Sequence, residues 1–127
     1  MRIVYLSAAI VPAGSFDLLF IPNPFDLARL HTAIAAGAEE VSYVGHPATA
    51  KFLSGKTGRP VEMNRGNWVP QAGDLVVCST VKPGMRLDPQ AEILSQEELE
   101  SFMVVEFRFV YATSEFMAAI SDAARLF

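Results

Sequence analysis

The chain has 127 residues, of which 51% are apolar and 19% charged, with a formal net charge of −4. That apolar share supports one hydrophobic core and excludes a disordered chain. The acidic balance argues against a general binder of duplex nucleic acid, whose affinity comes from basic surface facing phosphate, but not against a small anionic ligand in a locally positive pocket. A single cysteine, Cys78, excludes an internal disulfide framework and a thiolate metal site. Two histidines, His31 and His46, argue against a zinc centre, so no metal or cofactor is expected and the setting reads as reducing and cytoplasmic.

In chain order, Arg2 to Leu6 predicts a first strand. The stretch Ile3 to Ile10 after Met1-Arg2 faintly resembles a secretory signal, but its basic region is one arginine and Pro12 closes it early. A buried strand explains it better. Phe16 to Ile21 predicts a second strand after a Pro12-Ala13-Gly14 turn. Asn23 then reads as a helix cap with Pro24 in the first turn, Leu27, Leu30 and Ile34 as the apolar face, and Gly37 as the stop. His31 lies beside that face, packed or half exposed.

Glu40 to Val44 predicts a short strand ending at Gly45. Pro47 suits the first turn of the next helix and leaves His46 near its N-cap, with Phe52 and Leu53 inward and Gly55 or Gly58 as the end. Asp74 to Val81 is the strongest strand, and the run Leu75-Val76-Val77-Cys78 predicts burial on both faces before Pro83-Gly84 breaks it. Ser95-Gln96-Glu97-Glu98 is a capping box opening a short helix that ends near Phe102. Met103 to Tyr111, β-branched and aromatic, predicts another strand. Thr113 to Phe127 predicts a C-terminal helix with Phe116, Ile120, Ala123 and Ala124 along one face. No stretch reaches the roughly 18 to 20 apolar residues of a membrane span. The expected architecture is one α/β domain over residues 1–127, with a mixed sheet of about five strands flanked by helices and a helical extension from about residue 113.

No P-loop, G-x-G-x-x-G, G-x-S-x-G or metal-spaced carboxylate cluster is present. The polar candidates are His46, Asn64, Arg65 and Arg86. His46 has two readings: a helix cap, or a proton donor to an anion gathered at the helix N-terminus, where bound phosphate favours the imidazolium. Arg65 and Arg86 are either solvated loop arginines, Arg86 beside Asp88, or forks donating to phosphate oxygens. Trp68 and the phenylalanines read as core or interface, and Glu97, Glu98 and Glu100 as a solvated helix start.

Val41-Ser42-Tyr43-Val44-Gly45-His46-Pro47-Ala48-Thr49-Ala50 resembles the central signature of the viral-type ring nucleases, anti-CRISPR enzymes with relatives in bacteria, archaea and their viruses. Val4-Tyr5-Leu6, Asn64-Arg65, Gly73-Asp74, Arg86-Leu87 and Ile93-Leu94-Ser95 before Glu97-Glu98 follow in the family's order, over about residues 2 to 111. The resemblance implies a homodimer that binds cyclic tetra-adenylate across its two-fold axis, so switching off type III CRISPR signalling. It implies metal-independent cleavage, in which a ribose 2′-hydroxyl attacks the adjacent phosphate and leaves a 2′,3′-cyclic phosphate. His46 would protonate the departing oxygen and Arg86 would stabilise the phosphate, with Gly45, Thr49, Asn64, Arg65, Ala8 and Ala9 as substrate-binding positions. Ribose carries its own nucleophile, so placement and one proton donor suffice. The chain departs from the family in three places. Asp88-Pro89-Gln90 follows Arg86-Leu87 where the family often has a glutamate and a glycine, Lys82-Pro83-Gly84 lengthens the preceding loop, and Ala8 and Val11 replace polar residues. A protein that sequesters the cyclic nucleotide uncut, or a dimeric scaffold with a structural His46, are the alternatives.

Overall fold

Side-chain alternation builds the sheet from its centre. In β1 (Arg2–Leu6), Ile3 and Tyr5 face one side and Val4 and Leu6 the other, and all four are buried. A strand apolar on both faces belongs inside a sheet. The computed structural model describes residues 1–8, 17–85 and 94–124, without the side chains of the last two. The expected turn at Pro12-Ala13-Gly14, Phe16 as a strand start, and the continuation of the last helix to Phe127 lie outside these residues.

The remaining elements are β2 (Leu18–Pro24), α1 (Leu27–Ala35), β3 (Glu39–Tyr43), α2 (Pro47–Thr57), β4 (Leu75–Val81), α3 (Gln96–Glu100), β5 (Met103–Ala112) and α4 (Thr113–Ala124). The five strands form one mixed sheet in the order β2-β5-β4-β1-β3. β1 runs parallel to both β3 and β4, whereas β5 is antiparallel to β4 and β2. This is the α/β architecture that the strand and helix signals predict.

One core cluster joins Ile3, Tyr5, Leu75, Val77 and Phe107 of the sheet to Leu30 of α1, Phe52 and Leu53 of α2, and Leu99 of α3. The second joins Val4, Leu6, Val76, Cys78 and Val110 to Trp68, whose ring meets Phe20 edge-on at 5.9 Å. Asp74, only 2% exposed, ties this second layer to the sheet. Its carboxylate accepts from Arg2 Nε (3.0 Å) and Nη2 (2.7 Å), Trp68 Nε1 (3.3 Å) and the Gln71 N–H (2.9 Å).

One predicted start is wrong. Asn23 and Pro24 do not open a helix; they complete β2, opposite Phe107 and Glu106 of β5. β2 is an edge strand, where a proline's missing N–H costs no ladder bond. Asp26 caps α1 instead, accepting from the Arg29 N–H at 3.2 Å. Leu27 accordingly sits 41% exposed, outside the apolar face expected of it. His31 is also exposed, its Nε2 donating to the Thr57 carbonyl at the end of α2 (2.7 Å). Gly58, not Gly55, ends α2, in the left-handed conformation (φ 69°) that suits glycine. Ser95 makes the predicted capping box with Glu98.

Two buried acids set the alkaline limit of stability. Burial and then the Glu106 charge push the Cys78 thiol up to about 12 from its ordinary 9.0. Burial and a hydrogen bond to Glu40 (2.7 Å) likewise raise the Tyr5 hydroxyl. Arg59, bonded to Glu40 at 3.1 and 2.7 Å, holds that carboxyl below its usual range. The raised acids stabilise the fold fully below their unfolded values and lose that contribution as pH rises; the lowered Glu40 contributes above its unfolded value and loses it as pH falls. Melting temperature should therefore decline from about pH 9 upward, and Cys78→Ala should flatten the first part of that decline in a thermal melt series. An unchanged slope in that variant would contradict the burial of the thiol.

Candidate functional site

β1, β3 and β4 run parallel, so their carboxyl ends reach the same edge of the sheet. In open α/β sheets that edge is where ligands gather, because chain turns there expose backbone groups and helix N-termini. Here β1 delivers Ser7 and Ala8, and β3 delivers Val44, Gly45 and His46 before α2 begins at Pro47.

A third segment returns to the same edge. Val44 forms a parallel bridge with Met63, and its carbonyl accepts from the Asn64 N–H at 2.8 Å. The Asn64 side chain is committed to backbone: its Nδ2 donates to the Ser42 carbonyl (2.9 Å) and its Oδ1 accepts from the Gly66 N–H (3.1 Å). Its part is thus to hold the turn that presents Arg65. A Cβ added at Gly45 would lie 3.9 Å from Arg65 Cγ and 3.9 Å from Ser7 Oγ, so three separate segments converge on that glycine. The Gly45 N–H donates to Ser7 Oγ at 3.3 Å.

His46 is the N-cap of α2, with extended backbone (φ −131°, ψ 130°), and its Nδ1 accepts from the Ala48 N–H at 3.1 Å. A ring that accepts through Nδ1 carries its proton on Nε2 when neutral. The half-buried imidazole therefore caps with one nitrogen and keeps the other as a donor. This geometry is the cap; an imidazolium, protonated on both nitrogens, would have to give up the bond from Ala48.

Arg65 is exposed. Arg2, Arg59 and Arg108 each pair with a carboxylate, and Arg29 lies over the Phe109 ring at 4.7 Å. Among the described residues Arg65 is the one arginine with no such partner, which leaves its fork for an external anion. Thr49 stands apart from the other predicted contacts. It is 1% exposed, so its side chain packs in the interior rather than opening onto the edge. Ala8 is half-buried at the end of β1 and offers no polar group. Ala9 and Arg86 lie outside the described residues.

The arrangement joins an imidazole N–H, an uncommitted guanidinium, a hydroxyl and a helix N-terminus on one edge, a combination suited to phosphate. Ser7 was not among the predicted contacts, although a hydroxyl directly after an apolar strand was the available signal. The acidic cluster does structural work: Glu98 closes the capping box, and Glu100 approaches Lys56 at 3.6 Å. Among the described residues no helix is long and apolar enough to cross a membrane.

Fold and edge together define an α/β domain with a five-stranded mixed sheet and a histidine-capped helix at the carboxyl end of its parallel strands. Residues 4–109 match the family model for STIV B116-like proteins, and the chain belongs to that family. Its fold is similar to that of B116 of Sulfolobus turreted icosahedral virus, with a TM-score of 0.58 at 15% identity over 87% of this chain and 99% of that one. No curated protein matches the chain. α4 begins beyond the matched residues, at Thr113.

Proposed function

We propose that the protein is a metal-independent ring nuclease that opens cyclic oligoadenylate, with cyclic tetra-adenylate as the expected substrate. The observation that carries this reading is the convergence of His46, Arg65, Ser7 and the α2 N-terminus on Gly45, within the segments that bear the ring-nuclease resemblance. Membership in a family named for a viral protein fits a role against host defence, and the ring-nuclease resemblance implies a homodimer sharing a two-fold cleft in the cytoplasm.

In this reading a ribose 2′-hydroxyl gives up its proton to solvent water as its oxygen attacks the adjacent phosphorus in line. The O2′–P bond forms as the P–O5′ bond breaks, and the electron pair leaves on O5′. His46 supplies the proton that O5′ takes, giving a 5′-hydroxyl and a 2′,3′-cyclic phosphate. A neutral imidazole is too weak an acid for this step, so His46 must carry a second proton, on Nδ1. That position now faces the Ala48 N–H. A phosphate oxygen at the α2 N-terminus would accept from Ala48 in place of Nδ1, so substrate binding itself would release the ring for protonation. Arg65, with Arg86, would offset charge on the phosphate.

The capping bond of Nδ1 also favours a second reading, in which the ring stays neutral and the protein sequesters the cyclic nucleotide intact. Calorimetry with cyclic tetra-adenylate, followed by chromatography of the recovered ligand, separates the two. Binding with a cut ring is the expected result, binding with an intact ring supports sequestration, and no binding overturns both.

A further inference from the structure

We infer that Ser7 is a substrate-positioning residue, its hydroxyl donating to a non-bridging phosphate oxygen between His46 and Arg65. This rests on the ring-nuclease reading and assigns a contact that none of the predicted positions supplies. Ser7 follows β1 directly and is half-buried at the carboxyl edge of the sheet. Its Oγ accepts from the Gly45 N–H at 3.3 Å, which fixes where the oxygen's lone pair points. Among the described residues the hydroxyl proton meets no acceptor, so the group is an oriented donor with its own hydrogen uncommitted.

Position makes that donor useful. Ser7 Oγ and Arg65 Cγ both lie 3.9 Å from the point where a Gly45 side chain would begin, and His46 is the next residue. With no side chain at Gly45, a phosphate can approach the backbone between them. Ala8 contributes no polar atom there, and Asn64 spends its amide on the turn. Ser7 is then the neutral donor of the cluster, holding the phosphate while His46 moves the proton.

A hydrogen bond made equally to substrate and transition state appears in KM and not in kcat. Steady-state cleavage of cyclic tetra-adenylate by Ser7→Ala should therefore show KM raised about tenfold or more with kcat within twofold of the parent, since the acceptor is charged. Ser7→Thr, which keeps the hydroxyl, should restore KM to within about threefold. Melting temperatures recorded alongside should be equal for the parent and Ser7→Thr and slightly lower for Ser7→Ala, which loses the acceptor of the Gly45 N–H. Unchanged KM in Ser7→Ala with an active parent overturns the inference and leaves the ring-nuclease reading standing. A fall of kcat together with melting temperature also overturns it, since that is the mark of a merely structural hydroxyl at Gly45. A parent that neither binds nor cuts the ring overturns both.

Discussion

His46→Ala should lower the single-turnover rate of ring cleavage by about a hundredfold or more while leaving affinity for the cyclic nucleotide largely intact. The same change removes the cap on the Ala48 N–H, at a cost of about 1 kcal/mol in stability. The two effects have different chemical origins and separate cleanly in His46→Asn. An asparagine oxygen accepts at an N-cap as well as any side chain, so this variant should melt with the parent. It holds no acidic proton for O5′, so it should be as slow as the alanine variant. If His46→Asn cleaved at the parental rate, the histidine would be a cap and nothing more.

Asp74→Ala should be the most destabilising polar substitution among the described residues. Four donor groups meet on this one buried carboxylate, from Arg2, Trp68 and Gln71. Removing it leaves the Arg2 guanidinium only the Val69 carbonyl and the buried indole N–H unpaired, a loss of about 3–5 kcal/mol. Against a total stability of about 5–15 kcal/mol, that lowers the melting temperature by on the order of 10–20 °C. Arg2→Ala should cost less, because Asp74 would keep Trp68 and Gln71. The effect bears on the site as well as the fold, since Trp68 anchors the segment that begins at Arg65. Thermal denaturation of both variants checks the ordering, and equal melting temperatures for Arg2→Ala and Asp74→Ala would contradict the shared-hub account.

The parts of this fold that were readable from sequence are those governed by neighbours along the chain. The apolar runs in β1 and β4 are legible because burial on both faces leaves no polar position to interrupt them. His46-Pro47 marks the α2 start because a proline in the first turn gives up only an N–H that has no partner there. Ser95 and Glu98 form their reciprocal cap within four residues. Pro24 misled because the same ring suits a helix start and an edge strand, and only the pairing with β5 decides between them. The site itself is non-local. Nothing along the chain indicates that Met63 bridges Val44, that Asn64 spends its amide on Ser42 and Gly66, or that Ser7 meets Gly45 across 38 positions. Thr49 shows the converse: its place in the motif suggested a contact, and helical phase turned it inward.

In the proposed mechanism one imidazole and the substrate's own 2′-hydroxyl open the ring without a metal. After incubation of cyclic tetra-adenylate with excess protein in EDTA, mass spectrometry should find linear fragments ending in a 2′,3′-cyclic phosphate with a free 5′-hydroxyl. An intact ring under those conditions, or fragments bearing a 5′-phosphate, would contradict it.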